Sequence, residues 1–119
     1  MITAVEIRER IVDGVAVLYP GHYLNQLRGE NIETRCRELL AEGIRHVVIN
    51  FEETELINSV GISILLGVVE AMREARGRLV LSNLNSASRE LFEVLGLMAE
   101  LRIEDTEEDA IAKLRSASC

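Results

Sequence analysis

The strongest constraint on this chain is an alternation. Short apolar runs, Val15-Ala16-Val17-Leu18-Tyr19, residues 45–51 and Leu79-Val80-Leu81-Ser82, are separated by longer stretches whose apolar residues recur at helical spacing. A short run with little polar alternation suits a strand buried on both faces. Strands that alternate with helices call for a mixed or largely parallel sheet with right-handed crossovers.

The remaining elements follow from local signals. Val5, Ile7, Ile11 and Val12 flank a charged patch, and Asp13-Gly14 is a hairpin turn signal between two strands. Pro20-Gly21 ends the second strand, and His22–Gln26 reads as a loop. Ile32, Cys36, Leu39 and Leu40 predict a helix over about 29–42, with Gly43 as its C-terminal cap. A helix over about 60–76, closed by Gly77, follows the strand at 45–51. Asn85-Ser86 caps a short helix that runs through Leu95 and closes at Gly96. Leu101 and Ile103 mark a brief edge strand. Asp105-Thr106 caps a last helix whose acidic first turn (Glu107, Glu108, Asp109) suits the positive end of the helix dipole. The order is β-β-α-β-α-β-α-(β)-α. No repeat, linker or low-complexity segment interrupts it, so one domain is expected.

Composition narrows the class of partner. The chain has 119 residues, 48% of them hydrophobic, which is enough for one domain with a real core. Aromatic residues are 3% and Trp is absent, so platforms for stacking nucleic-acid bases are missing. The net charge is −7 with Lys and Arg scattered, which argues against nucleic acid and anionic membranes. No segment has the ~18 apolar residues of a membrane span, and Met1–Glu6 lacks a signal-peptide pattern. Cys36 falls on the apolar face of the first helix and Cys119 is the last residue. Without a disulfide framework, a reducing cytoplasm is expected. The two His and two Cys are far apart and lack ligand spacing, so neither a metal nor another cofactor is expected.

The junction Ile57-Asn58-Ser59-Val60-Gly61-Ile62 carries the functional question. Three readings of Ser59 are open. As an N-cap it accepts a hydrogen bond from a backbone N–H one turn on, although Ile62 stands where a capping box has Glu or Gln. As a phosphoacceptor it receives about −1.5 to −2 charges beside helix N–H groups that tolerate an anion, with Gly61 keeping Cβ bulk away. A hydrolase nucleophile is the weakest reading: Ile57 replaces the first Gly of a Gly-x-Ser-x-Gly elbow, and neither His22 nor His46 has an evident acid partner.

The helix after Ser59 carries two apolar stripes, Ile62/Leu65/Val69/Met72 and Val60/Ile64/Val68/Ala71/Ala75. A helix wedged between the sheet and a neighbouring helix accounts for both. The remaining arc holds Ser63, Gly67, Glu70 and Glu74, with Leu66 at its border and Ser59 just before the helix on the same side; Ser59, Ser63, Leu66, Gly67 and Glu70 are expected to form an exposed docking ridge. A phosphate on Ser59 would then switch binding and leave folding intact.

From Val47 to Leu66 the chain resembles the STAS domain of bacterial anti-sigma-factor antagonists, whose pattern is a buried strand, an acidic loop, Asp-Ser-(Ser/Thr)-Gly-(Leu/Ile) and an apolar helix. Gly77–Leu84, Phe92-Glu93-Val94-Leu95-Gly96-Leu97 and the closing helix also match, so the resemblance covers about Val5 to Leu114. It implies an α/β fold: a single STAS-like domain over 1–119 with its core at about 4–115, and a mixed, mostly parallel sheet of about four to five strands. About four helices pack mainly on one face.

The resemblance also implies a binding protein without enzymatic activity. Its unphosphorylated form binds an anti-sigma factor that is also a serine protein kinase, which frees the sigma factor. Phosphorylation at Ser59 ends that binding and a PP2C-type phosphatase restores it. The partner-binding residues expected on this basis are Asn58, Ser59, Gly61, Ser63, Leu66, Gly67 and Glu70, with Tyr23 and Asn25 from the preceding loop. A monomer or weak dimer is expected. The chain departs from the pattern at Asn58, where the family carries Asp, and at Val60, where it carries Ser or Thr. Two rivals stand beside this reading. One is a constitutive STAS scaffold, or a subunit of a sensory or transport assembly, in which Ser59 only caps a helix. The other is a nucleotide- or small-ligand-binding domain, against which the absence of a Walker-type Gly-rich loop counts.

Overall fold

The computed structural model describes residues 7–117. Val5, assigned above to the first strand, and Cys119 lie outside the described residues. The strands are β1 (Arg8–Val12), β2 (Val15–Tyr19), β3 (Tyr23–Leu24), β4 (His46–Asn50), β5 (Leu56–Ile57), β6 (Arg78–Ser82) and β7 (Ile103–Glu104). The helices are α1 (Gln26–Ala41), α2 (Ser59–Glu74), α3 (Ser86–Val94) and α4 (Glu107–Ala117).

The main sheet has the order β1-β2-β4-β6-β7. Only β1 runs antiparallel, joined to β2 by the Asp13-Gly14 turn. Both turn residues have positive φ, 53° and 80°, as a two-residue turn matched to strand twist demands. The parallel pairs are in register as Val15↔His46, His46↔Arg78 and Leu81↔Ile103.

The apolar runs lack alternation because both faces of the sheet are covered. Ala16, Leu18, Val47, Ile49, Leu79 and Leu81 pack with Ile32, Cys36 and Leu39 of α1, Ile62, Leu65, Val68 and Met72 of α2, and Phe92 of α3. The residues of opposite parity, Val15, Val17, Tyr19, Val48 and Val80, pack against Ala110, Ile111 and Leu114 of α4. Helices therefore lie mainly on one face, three against one, as expected. Cys36 is core, and burial pushes its thiol up to about 12.

On the second face a polar clamp fixes α4. The Glu107 carboxylate accepts hydrogen bonds from Tyr19 Oη (2.6 Å), Asn50 Nδ2 (2.8 Å) and the Arg10 guanidinium. Burial alone would raise the Glu107 pKa. The bonds from Tyr19, Asn50 and Arg10 outweigh that and hold it below the ordinary carboxylate range.

Three details differ from the sequence reading. The segment 22–26 is not simply a loop, because β3 pairs in parallel with β5 as a separate two-stranded ladder. Accordingly α1 begins at Gln26, not near 29, with Asn25 as its cap. At the end of α2, Arg76 and not Gly77 takes the left-handed backbone, with φ 63°. Gly77 is needed for room: a Cβ there would lie 2.8 Å from both the Arg45 carbonyl oxygen and Met72 Cε.

Candidate functional site

Two strand–cap–helix units lie side by side. In the first, Tyr23-Leu24 leads through Asn25 into α1; in the second, Leu56-Ile57 leads through Asn58 into α2. The ladder pairs Tyr23 with Leu56 and Leu24 with Ile57, and the Asn58 N–H continues it by donating to the Leu24 carbonyl at 3.0 Å. Both caps act alike. Asn25 Oδ1 accepts from the Arg28 N–H at 3.0 Å, and Asn58 Oδ1 accepts from the Gly61 N–H at 2.8 Å. The two helices thus start at equivalent positions, with their positive ends together and no acidic residue in either first turn.

This corrects the capping assignment at Ser59. The cap is Asn58, and Ser59 is the first residue of the helix. Asn58 is held at both ends, since its Nδ2 also donates to Tyr23 Oη at 3.1 Å. Ser59 is exposed, and among the described residues its hydroxyl has no hydrogen-bond partner. The N–H groups of Ser59 and Val60 belong to the first turn and have no acceptor within the helix.

The expected ridge along α2 is on the surface. Ser63, Gly67 and Glu70 are exposed, Leu66 is half-buried, and Glu70 is paired with Arg73 at 3.2 Å. Gly61 does not join them. It is buried, and a Cβ on it would lie 2.4 Å from the Leu24 carbonyl oxygen, so its missing side chain admits β3 against α2. Gly29 serves likewise between the helices, where a Cβ would meet Ile64 at 3.1 Å. Tyr23 is exposed, while the Asn25 side chain is occupied by its cap.

The acidic loop before β5 is anchored, because buried Thr54 donates from Oγ1 to the Gly21 carbonyl at 2.6 Å. His22, read above as lacking an acid partner, has Nδ1 3.5 Å from Glu55 Oε2; both side chains are largely exposed.

Sequence reasoning missed the apolar surface around Ser59. Val60, placed above in a buried stripe, is 45% exposed, alongside Leu56 at 58%, Leu27 at 46% and Tyr23 at 38%. These are four of the seven large apolar residues exposed among the described residues, and they lie on the two paired units. Leu27 and Val60 occupy the same position in their helices, two residues beyond the cap. The signal was present in the sequence: Tyr23-Leu24-Asn25-Gln26-Leu27 and Leu56-Ile57-Asn58-Ser59-Val60 share an apolar-apolar-Asn-polar-apolar pattern. No group of three or more His, Cys, Asp or Glu suited to a metal ion occurs among the described residues.

Comparison with known proteins agrees with this architecture. A family model described as the STAS domain matches residues 6–110. A Bordetella bronchiseptica protein, BtrV, named as a candidate anti-sigma factor antagonist, is 27% identical over 106 residues, which span 89% of this chain and 91% of that protein. The crystal structure of Thermotoga maritima TM1081, named likewise, superposes with a TM-score of 0.83 at 21% identity, covering 92% of this chain and 94% of that one. SpoIIAA, an anti-sigma factor antagonist, matches in its unphosphorylated form with a TM-score of 0.72 at 23% identity, covering 92% of this chain and 97% of that one. The phosphorylated form of SpoIIAA, from Bacillus, matches with a TM-score of 0.69 at 24% identity, covering 90% of this chain and 97% of that one.

Proposed function

The chain belongs to the STAS domain family, and from that premise we propose that it is an anti-sigma-factor antagonist switched by phosphorylation at Ser59. Its partner is an anti-sigma factor that is also a serine protein kinase. The unphosphorylated chain binds that partner in the cytoplasm and releases the sigma factor; a PP2C-type phosphatase resets the modified form. The chain itself carries out no reaction.

The observation that carries this reading is the state of Ser59. Asn58 performs the capping, so the Ser59 hydroxyl is exposed and unengaged at the start of α2. A phosphate there meets the uncommitted N–H groups of the first turn and the positive end of the helix. The same phosphate falls within the exposed apolar group of Tyr23, Leu56, Val60 and Leu27. A partner packed on these side chains would have to desolvate a group of about −2 charge, so binding is lost while the fold is kept. BtrV is named as a candidate anti-sigma factor antagonist and SpoIIAA as an anti-sigma factor antagonist, which supports an anti-sigma factor as the partner class.

The test is to incubate the chain with its cognate kinase and ATP, then map the modification by intact mass and peptide sequencing. One phosphate on Ser59 is expected, with none on Ser59→Ala. Ser59→Asp is expected to weaken partner binding by at least tenfold, about 1.4 kcal/mol, in titration calorimetry, while Ser59→Ala still binds. Unchanged binding by Ser59→Asp would leave the scaffold reading in its place.

A further inference from the structure

A cleft of about 520 Å³ opens beside the C-terminal end of α2, between the start of β6 and the turn before β7. The 16 residues of α2 separate it from Ser59 by about 24 Å. Four arginines line it, Arg73, Arg76, Arg78 and Arg102, against a single carboxylate, Glu100. Its apolar lining comes from Val69, Leu79, Leu81 and Leu101.

These arginines stand out against the rest of the molecule. The chain carries 20 acidic residues against 13 basic ones, so carboxylate partners are plentiful. Arg8, Arg10, Arg35, Arg37, Arg73 and Arg89 each pair with a carboxylate. Arg115 pairs with Asp13, and Arg28 and Arg45 donate to backbone carbonyls. Among the described residues, Arg76, Arg78 and Arg102 alone of the arginines have no partner, and all three line this cleft.

The position of Arg76 is also costly. Arg76 adopts φ 63°, a backbone that disfavours any side chain, where a helix end ordinarily uses Gly. The C-terminal end of α2 is negative, and the arginines more than offset it.

We propose that this cleft binds a small molecule carrying a diphosphate group. Its volume lies in the range of small-ligand sites, and its charge calls for an anion of two or more charges. The arginines line it from three separate places in the fold: the end of α2, the first residue of β6, and the turn before β7. Tetrahedral phosphates present oxygens in several directions and accept from such separated forks, whereas a carboxylate pairs with one fork in its own plane. The apolar lining receives the uncharged body of the ligand.

Titration calorimetry at low ionic strength tests this with pyrophosphate, ADP, citrate and a short polyglutamate peptide. Pyrophosphate and ADP are expected to bind one to one, with citrate and the peptide at least tenfold weaker. The double variant R78Q/R102Q is expected to lose at least tenfold in affinity for pyrophosphate and ADP, and Arg37→Gln on α1 none. Matching thermal melts establish that the double variant is folded; if it is not, Arg102→Gln alone serves, because Arg102 is exposed and outside any strand. The proposal is overturned by no saturable binding of pyrophosphate at about 1 mM, by equal binding of citrate or the peptide, or by full affinity in a folded arginine variant.

Discussion

A hydrogen atom decides the geometry at Gly61. Any other residue would place a carbon 2.4 Å from the Leu24 carbonyl oxygen, and that oxygen belongs to the β3–β5 ladder. In an exposed helix, exchanging Gly for Ala gains roughly 1 kcal/mol. At this site the clash reverses the sign: Gly61→Ala is expected to destabilise the chain by about 1–3 kcal/mol, measured as a fall in the urea midpoint at unchanged slope. Asn58 is as tightly determined. Oδ1 takes the Gly61 N–H and Nδ2 gives to Tyr23 Oη, a donor that an Asp in its place would lack. Ser59 needs no such role and is left exposed. Its identity in the sequence did not reveal this; the register of the helix by one residue did.

At the scale of elements, two short strands align two helix starts. A two-residue strand has little propensity of its own, and β3 exists because β5 is there to pair with it. The pairing brings Leu27 of α1 beside the Ser59 region, although the two are 32 residues apart in the chain. The expected consequence is separable from stability. Leu27→Ser and Val60→Ser should each change the unfolding free energy by no more than about 0.5 kcal/mol, because both side chains are about half exposed. Each should weaken binding of the proposed anti-sigma-factor partner by about 1–2 kcal/mol, read by titration calorimetry. The paired Asn motifs made this unit legible in outline. The 3.6-residue periodicity did not, since it assigned Val60 to the buried stripes and overlooked Leu27.

At the scale of the molecule, one helix packs on the second face of the sheet, and one carboxylate at its start bonds it to three strands. Glu107 gathers bonds from Arg10 of β1, Tyr19 of β2 and Asn50 of β4 onto the first residue of α4. Its folded pKa is depressed, so the unfolded chain takes up a proton more readily. The stability it contributes is present above the ordinary carboxylate range and is lost as pH falls through its folded pKa. Glu9, lowered by its hydrogen bonds from Arg35, adds to the same trend. Urea unfolding at pH 7 and about pH 4 should show lower stability in acid. Glu107→Gln should be less stable at pH 7 and should lose less on acidification.

The alternation of apolar runs and helical stretches determined the layered α/β architecture, because a strand buried on both faces and a helix buried on one must be written in different periods. Turn and cap residues determined the Asp13-Gly14 hairpin, the C-terminal end of α1, both ends of α3 and the start of α4, since their conformations are local; the start of α1 at Gln26 waited on the β3–β5 pairing. The tertiary structure alone decided which polar side chain caps α2, which glycine yields to a carbonyl, and which arginines are left unpaired. Those outcomes depend on groups distant in sequence arriving within a few ångströms of one another. No local pattern encodes that distance; only the closed packing of sheet and helices sets it.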